Sequence, residues 1–305
     1  MARAHPALGL EYSLEKERDF RLRTIGSLRI INRRGAIRVR GWTLDKVRVR
    51  AVSLVDAGSQ ADADRLLSTA GFDYRERSGR IELEAQYGLG LDMRERLQER
   101  RDPRVRMDLE IMAPSGVSLE VWSVEGAVTI DAWRAPVSIR DTNGQVTLHG
   151  VNGRMISVTC ADCGVTGDSI RGELRVSGGA GAVRLKDVSG PELYVKTTSG
   201  EIEVRAAKAK TWLVSDTGHI TGSELTGQVE FETRKGNVDV VKVNGQLTGR
   251  TTTGHMRLEV QRWDPVDRAF LESEKGNIEL TLPANLSTEL EVRSGEGDAR
   301  VEFPL

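Results

Sequence analysis

Apolar and polar residues alternate along most of this chain, and glycine breaks the alternation at regular intervals. One half-repeat runs apolar, variable, apolar, then four further positions and a glycine, as in VSIRDTNG, LYVKTTSG, VEFETRKG, LTGRTTTG, AFLESEKG and LEVRSGEG. A second half-repeat starts at that glycine, as in GQVTLHGVNG, GAVRLKDVSG and GNVDVVKVNG. Strict alternation is strand periodicity, and the Asn-Gly, Ser-Gly and Lys-Gly steps are turn steps that favour positive φ. Glycine recurs at 200, 218, 236 and 254, and a second series at 227 and 245 falls midway. Two strands and two corners per coil of about 18 residues, in two nine-residue half-turns, predict an all-β, single-stranded parallel β-solenoid. Its coils pair at roughly 4.8 Å.

The glycine that ends the first half-repeat falls at 126, 144, 164, 181, 200, 218, 236, 254, 276 and 297, ten coils in series. The pattern also occurs earlier, as LRIINRRG followed by GAIRVRGW. The first coil is therefore N-terminal, and residues 45 to 118 form an excursion before the stack resumes. The expected division is an N-terminal tail at 1–19, a first coil with a small α+β cap at 20–118, and the solenoid at 119–305. One helix is predicted near 59–70, with Ser59 as N-cap, Asp62 at N3, and Ala63, Leu66, Leu67 and Ala70 on its apolar face. Strands follow at 80–88 and 105–114, separated by the highly charged stretch LDMRERLQERRDPR. A cap is needed because a solenoid end exposes unpaired strand edges.

Stacking places equivalent residues in columns. Three positions before the corner glycine stand Ser123, Asp141, Thr197, Ser215, Thr233, Thr251, Ser273 and Ser294, a ladder of short polar side chains suited to bonding up the stack and to corner amides. Two positions after it stand Val146, Val183, Ile202, Ile220, Val238, Met256 and Ile278, a core column. LRIINRRGAIRVRGWTLDKVRVRA, the cap that follows it, and repeats such as VKTTSGEIEV, SDTGHITGSEL and ETRKGNVDVVKVNG resemble the putative-adhesin family of bacterial β-strand-repeat proteins, a domain of unknown function. The resemblance covers about residues 20 to 305 and carries no catalytic signature. It implies a β-solenoid in the bacterial cell envelope or outside the cell.

Composition narrows the functional classes. Gly is high at 32 and aromatics are low at 5%, which fits many short turns better than a large enzyme core. No apolar stretch reaches membrane-spanning length. Residues 1 to 12 hold no apolar signal region, so a native start at Met1 would mean a cytoplasmic protein. The formal net charge is −1, yet residues 16 to 50 hold twelve bases against three acids. That block is net +9 and the remainder net −10. In IRVR and VRVR the apolar residues Ile37, Val39, Val47 and Val49 face the core, leaving Arg38, Arg40, Arg48 and Arg50 outside. With Arg33 and Arg34 at the turn, this makes a cationic end suited to an anionic envelope surface. The competing reading is internal ion pairing. Nucleic acid is not expected, because the pI is about 6.5 and the strands offer no groove reader.

Candidate chemistry is sparse. Cys160 and Cys163 form a lone CxxC, read as buried small residues or as a disulfide closing a corner, since a structural zinc site needs four ligands. His219 and His255 share a column two coils apart, too far apart for one metal, and read as solvated side chains. Asp141 and Asp168 are the best corner acids, and nothing shows that they converge. The GGxGxD calcium repeat is missing. No catalytic residue, metal or cofactor is therefore expected. On the outer face Arg175, Tyr194, Trp212, Glu230 and Thr248 align, and an exposed Tyr194–Trp212 pair could bind a glycan or a protein. The reading is a non-enzymatic, envelope-associated, adhesin-like binding module. The alternative is a scaffold assembling through its ends, and a glycan-active β-helix enzyme is a third reading. Pro304, Arg300 and Glu302 read as guards against end-to-end stacking, and the oligomeric state stays open.

Overall fold

In the computed structural model, residues 10–21, 26–87, 105–264, 267–284 and 289–303 are described. The alternating segments form strands that pair in parallel, coil upon coil, and the chain closes into a β-solenoid. Along one face the inward residues stack as Val195, Leu213, Phe231, Gly249 and Leu271. Along the other they stack as Ile202, Ile220, Val238, Met256 and Ile278. The core is the narrow space between these faces, and nearly all its aliphatic residues are buried. The step is 18 residues from Leu213 to Phe231 and widens to 22 from Gly249 to Leu271. The widening falls within QRWDPVDRAF, an insertion of the kind its Pro and charges foreshadow. In the last coil Leu290, Val292 and Val301 are only partly buried, because no described strand covers them. Arg300 and Glu302 pair with each other on the outside of that coil at 2.6 Å, and Pro304 lies outside the described residues.

The first coil consists of β2 and β3, and β1 precedes it in the chain. These are β1 (Leu10–Arg21), β2 (Ser27–Arg34) and β3 (Ile37–Trp42). The excursion supplies β4 (Lys46–Ala57), α1 (Gln60–Ser68), β5 (Ala70–Arg77), β6 (Arg80–Tyr87) and β7 (Val105–Pro114), and the stack resumes with β8 (Ser118–Asp131). Leu28 lies beside Leu119 and Ile37 beside Val128, so the first coil is seated directly on the coil built from β8. On its other side β6 adds to β2 and β7 adds to β3, both in parallel. Strands β5, β4 and β1 then continue these two faces antiparallel. The cap thus closes the open edges by pairing, and α1 packs on β4 and β1. Ser59 caps α1 by accepting the Asp62 N–H at 3.2 Å. The expected charged stretch at 91–104 lies outside the described residues.

The structure departs from the sequence pattern in three places. Residues 10–19, expected in a tail, belong to β1. Their run of charges hides the alternation, and the strand is held by Tyr12, Leu14 and Phe20 against the core and by bases on β4.

The corner glycine expected at 164 is displaced by one position. Gly164 lies beside Gln145, so the residue beside Gly144 is Cys163, and Cys163 stands in the glycine column. Cys160 lies beside Asp141, so this corner has the usual length. The extra residue of the coil sits earlier, where the register of the strand Asn152–Cys160 shifts between Asn152 and Met155.

The third place is the opposite corner. It is turned by Ala132, Ser169, Asp187, Ala206, Glu224 and Lys242, all with φ between 52 and 58°, and Gly150 holds the same place at 61°. Most of these residues are not glycine, so no composition signal marks that corner, and each carries the steric penalty of the left-handed region.

Candidate functional site

The polar ladder is internal. Thr197 Oγ1 donates to the Gly200 carbonyl at 2.9 Å, and the Gly218 N–H donates to Ser215 Oγ at 2.8 Å. Thr197 and Ser215 thus satisfy corner backbone groups that burial would otherwise leave unpaired, whereas the buried hydroxyls of Ser123, Thr251 and Ser273 have no hydrogen-bond partner among the described residues. Asn32 begins the same column beside Ser123. Its amide donates to the carbonyls of Gly35 (3.1 Å) and Met107 (2.8 Å), and the Tyr87 hydroxyl donates to its Oδ1.

Asp141 is the acid in the ladder. It is 5% exposed. Its Oδ1 accepts the Thr142 N–H at 3.0 Å, while its Oδ2 has no hydrogen-bond partner. Burial pushes its carboxyl pKa up, against smaller opposing pulls from the Ser123 hydroxyl and the Thr142 amide. A raised folded-state pKa means that this group favours folding below the unfolded carboxylate range and loses that contribution as pH rises through the folded value. Asp141→Ser, which restores the hydroxyl usual in the column, is therefore expected to stabilise the protein by about 1–2 kcal/mol at neutral pH. The gain should shrink as pH falls through the folded value and be gone below roughly pH 4. Denaturant unfolding of both proteins at the two pH values checks it. Asp168 lies at the other corner of its coil, beside His149 in register, so the two acids do not converge.

Cys160, in the ladder position, is disulfide-bonded to Cys163, both residues being buried. His219 and His255 are exposed as expected, but they are not idle. His219 Nδ1 accepts the Asn237 N–H (3.0 Å), and Asn237 Oδ1 accepts the His255 N–H (3.0 Å). His255 Nδ1 in turn accepts the Asn277 N–H at 3.1 Å. The column is a surface ladder of backbone caps.

The basic block is largely paired. Arg48 meets Asp19 at 2.8 Å, and Lys46 meets the same carboxylate at 2.7 Å. These two cations hold the Asp19 carboxyl well below the usual carboxylate range. Arg50 is held between Glu15 (2.7 Å) and Glu110 (2.9 Å), and Arg34 meets Glu125 at 3.1 Å. Arg38 makes one long contact to Glu110 at 3.6 Å and is 68% exposed. Arg33 and Arg40 are exposed, and neither has an ion-pair partner among the described residues. The internal pairing considered as the alternative therefore accounts for Arg34, Arg48 and Arg50. Two of the acids responsible, Glu15 and Asp19, sit on β1, the segment expected as tail.

Tyr194 and Trp212 lie side by side in register on adjacent coils. Both are half-buried rather than fully exposed. The rings do not stack on each other: the Lys210 ammonium lies 4.2 Å above the indole, and the indole N–H donates to Glu230 at 3.0 Å. Arg175 flanks Tyr194 and is itself bound to Glu173 and Glu192. Alternation and coil length locate this row, whereas the lysine over the indole comes from a neighbouring column whose register the sequence does not mark. Among the described residues no cluster of three or more His, Cys, Asp or Glu side chains could hold a metal ion. No described helix is long and apolar enough to cross a membrane.

Residues 215–304 match the model of the Toastrack DUF4097 family. None of the curated proteins compared matches the sequence. Among solved structures, a putative cell adhesion protein from Clostridium sporogenes is 11% identical, with a TM-score of 0.33 over 96% of this chain and 100% of that one. A putative adhesin from Bacteroides fragilis is 12% identical, with a TM-score of 0.33 over 95% of this chain and 97% of that one. A putative lipid binding protein from Parabacteroides distasonis is 10% identical, with a TM-score of 0.32 over 94% and 96% of the two chains. The family match supports the resemblance to bacterial putative adhesins of unknown function over the repeats it covers.

Proposed function

We propose that this protein is a non-enzymatic binding module of the bacterial cell envelope, and that it makes contact through the outer face of the solenoid around Tyr194 and Trp212. The observation that carries this reading is the in-register placement of two half-buried aromatic side chains on an outward, otherwise polar face, with Lys210 over the indole. An aromatic body with polar neighbours offers apolar contact area and orientation together. Trp212→Ala is expected to abolish retention on immobilised envelope polysaccharide while lowering stability by only about 1 kcal/mol, the scale of a partly exposed cation–π contact. Unchanged retention would sink the reading, and so would a loss of several kcal/mol, which would make the ring a packing element.

A second contact is favoured by the exposure of Arg33, Arg38 and Arg40 at the capped end. These three orient that end toward an anionic surface. Co-sedimentation with vesicles rich in phosphatidylglycerol should be salt-sensitive and should fall on reversing all three to Glu. Salt-independent binding would contradict it.

A further inference from the structure

The corner turned by Ala132, Ser169 and their equivalents carries a row of side chains along the outside of the rod. Asn152 lies beside Arg171, Arg171 beside Ser189, Ser189 beside Lys208, and Lys208 beside Thr226. Arg134 holds the equivalent place one coil before Asn152, whose N–H donates to the Trp133 carbonyl. From Arg134 to Thr226 the row contains no acid, and its cations come at every second coil, roughly 9.6 Å apart by strand spacing. Neutral hydrogen-bonding residues fill the places between. Like charges at that distance repel weakly in water, so the row is tolerated without partners.

Two further observations show that this row is available to a ligand. Arg134, Arg171 and Lys208 are exposed, as is the nearby Arg154, and none of the four has an ion-pair partner among the described residues. Most acids around them are engaged: Glu173 and Glu192 by Arg175, Glu224 by Lys242 at 3.2 Å, and Asp187 by Lys186 at 3.9 Å, while Asp168 accepts the Ser169 hydroxyl at 3.1 Å. Beside the row, one residue further along each coil, stand Ala135, Gly153, Gly172, Gly190, Ala209 and Gly227. A Cβ at Gly153, Gly172 or Gly190 would strike a carbonyl of the preceding coil, so packing keeps the positions small. Ala135, Gly153 and Ala209 are buried and Gly172, Gly190 and Gly227 half-buried, so beside the cations runs a strip of backbone without long side chains.

We infer that this strip and its cation row bind an extended, base-free phosphate polymer lying along the rod. Arginine predominates among the free cations, and its planar guanidinium matches phosphate oxygens in pairs. The row holds no aromatic ring on which a nucleobase would stack. Single contacts of this kind are weak, and binding comes from several cations engaging one chain at once. The row shares no residue with the face around Tyr194 and Trp212 or with Arg33, Arg38 and Arg40.

The test uses the full chain with long-chain inorganic polyphosphate, followed by calorimetry or anisotropy competition at several salt concentrations. Affinity should rise with chain length, with triphosphate binding far more weakly. In the triple variant Arg134→Gln, Arg171→Gln, Lys208→Gln the slope of log affinity against log salt should fall by about 2, from roughly 0.7 per lost phosphate contact. Circular dichroism should be unchanged, because these side chains make no ion pairs with the described residues. An unchanged slope would overturn the assignment. So would an equal loss on reversing Arg33, Arg38 and Arg40, which would move polymer binding to the capped end. Tighter binding of single-stranded DNA of equal charge would overturn the base-free choice. A failure of the Trp212 experiment leaves this result untouched, since the two variants share no residue.

Discussion

Phe231→Ala should lower the unfolding free energy by about 3–5 kcal/mol, the range for deleting a buried ring. Phe231 is 1% exposed and stands directly beside Gly249 in the inward column. A Cβ on Gly249 would strike the ring, so one coil's large residue occupies the space its neighbour leaves empty. Gly249→Val should therefore also be strongly destabilising. The double variant Phe231→Leu, Gly249→Ala keeps the summed volume nearly constant and should recover much of the loss, with a coupling between about 0.5 and 3 kcal/mol. Additive losses in a full double-mutant cycle, measured by denaturant unfolding, would show that the two positions do not share one cavity.

Asn32→Ala is expected to cost about 3 kcal/mol and to act at the junction of cap and stack, because each stranded buried polar group carries a penalty of about 1–3 kcal/mol. Asn32 is 1% exposed, and its removal takes the amide donor from the carbonyls of Gly35 and Met107, while the Tyr87 hydroxyl keeps the Arg34 backbone as partner. Hydrogen exchange should rise first in β6 and β7, with the coils beyond residue 195 unaffected, since each coil of a solenoid contacts only its neighbours. Uniform acceleration along the rod would mean that the junction is not the seat of the loss.

The repeat was legible because solenoid geometry forces chemically similar residues into columns. Val238 and Met256 had to be apolar, and Thr233 and Thr251 had to be short and polar. The cap strands β6 and β7 were legible for the same reason, as each has one apolar face. What escaped was set by partners distant in the chain. The charges at 15–19 look like a solvated tail until β4 is placed beside them, and then they become the partners of Lys46, Arg48 and Arg50. The second corner escaped because Ala206, Glu224 and Lys242 adopt a backbone conformation that composition does not advertise. Gly164 misled the column because one extra residue between Asn152 and Met155 moves everything after it by one place, and a glycine happens to follow the cysteine that takes the corner. At the candidate site, the alignment of Tyr194 with Trp212 followed from the repeat, while the row of Arg134, Arg171 and Lys208 did not, since its members recur only at alternate coils.

The seating of Leu28 beside Leu119 has a consequence for how the protein is made. The first coil leaves the ribosome before the strand that covers one of its edges, which is not synthesised until residue 118 and beyond. Until then β2 and β3 can pair only with the excursion, and the nascent chain must hold them there or leave them exposed. Beyond residue 131 the order reverses, because each new coil finds its template already emerged and can add as fast as it is translated. The slow, aggregation-prone interval of biogenesis is thus confined to the first half of the chain, where a chaperone would have most to do.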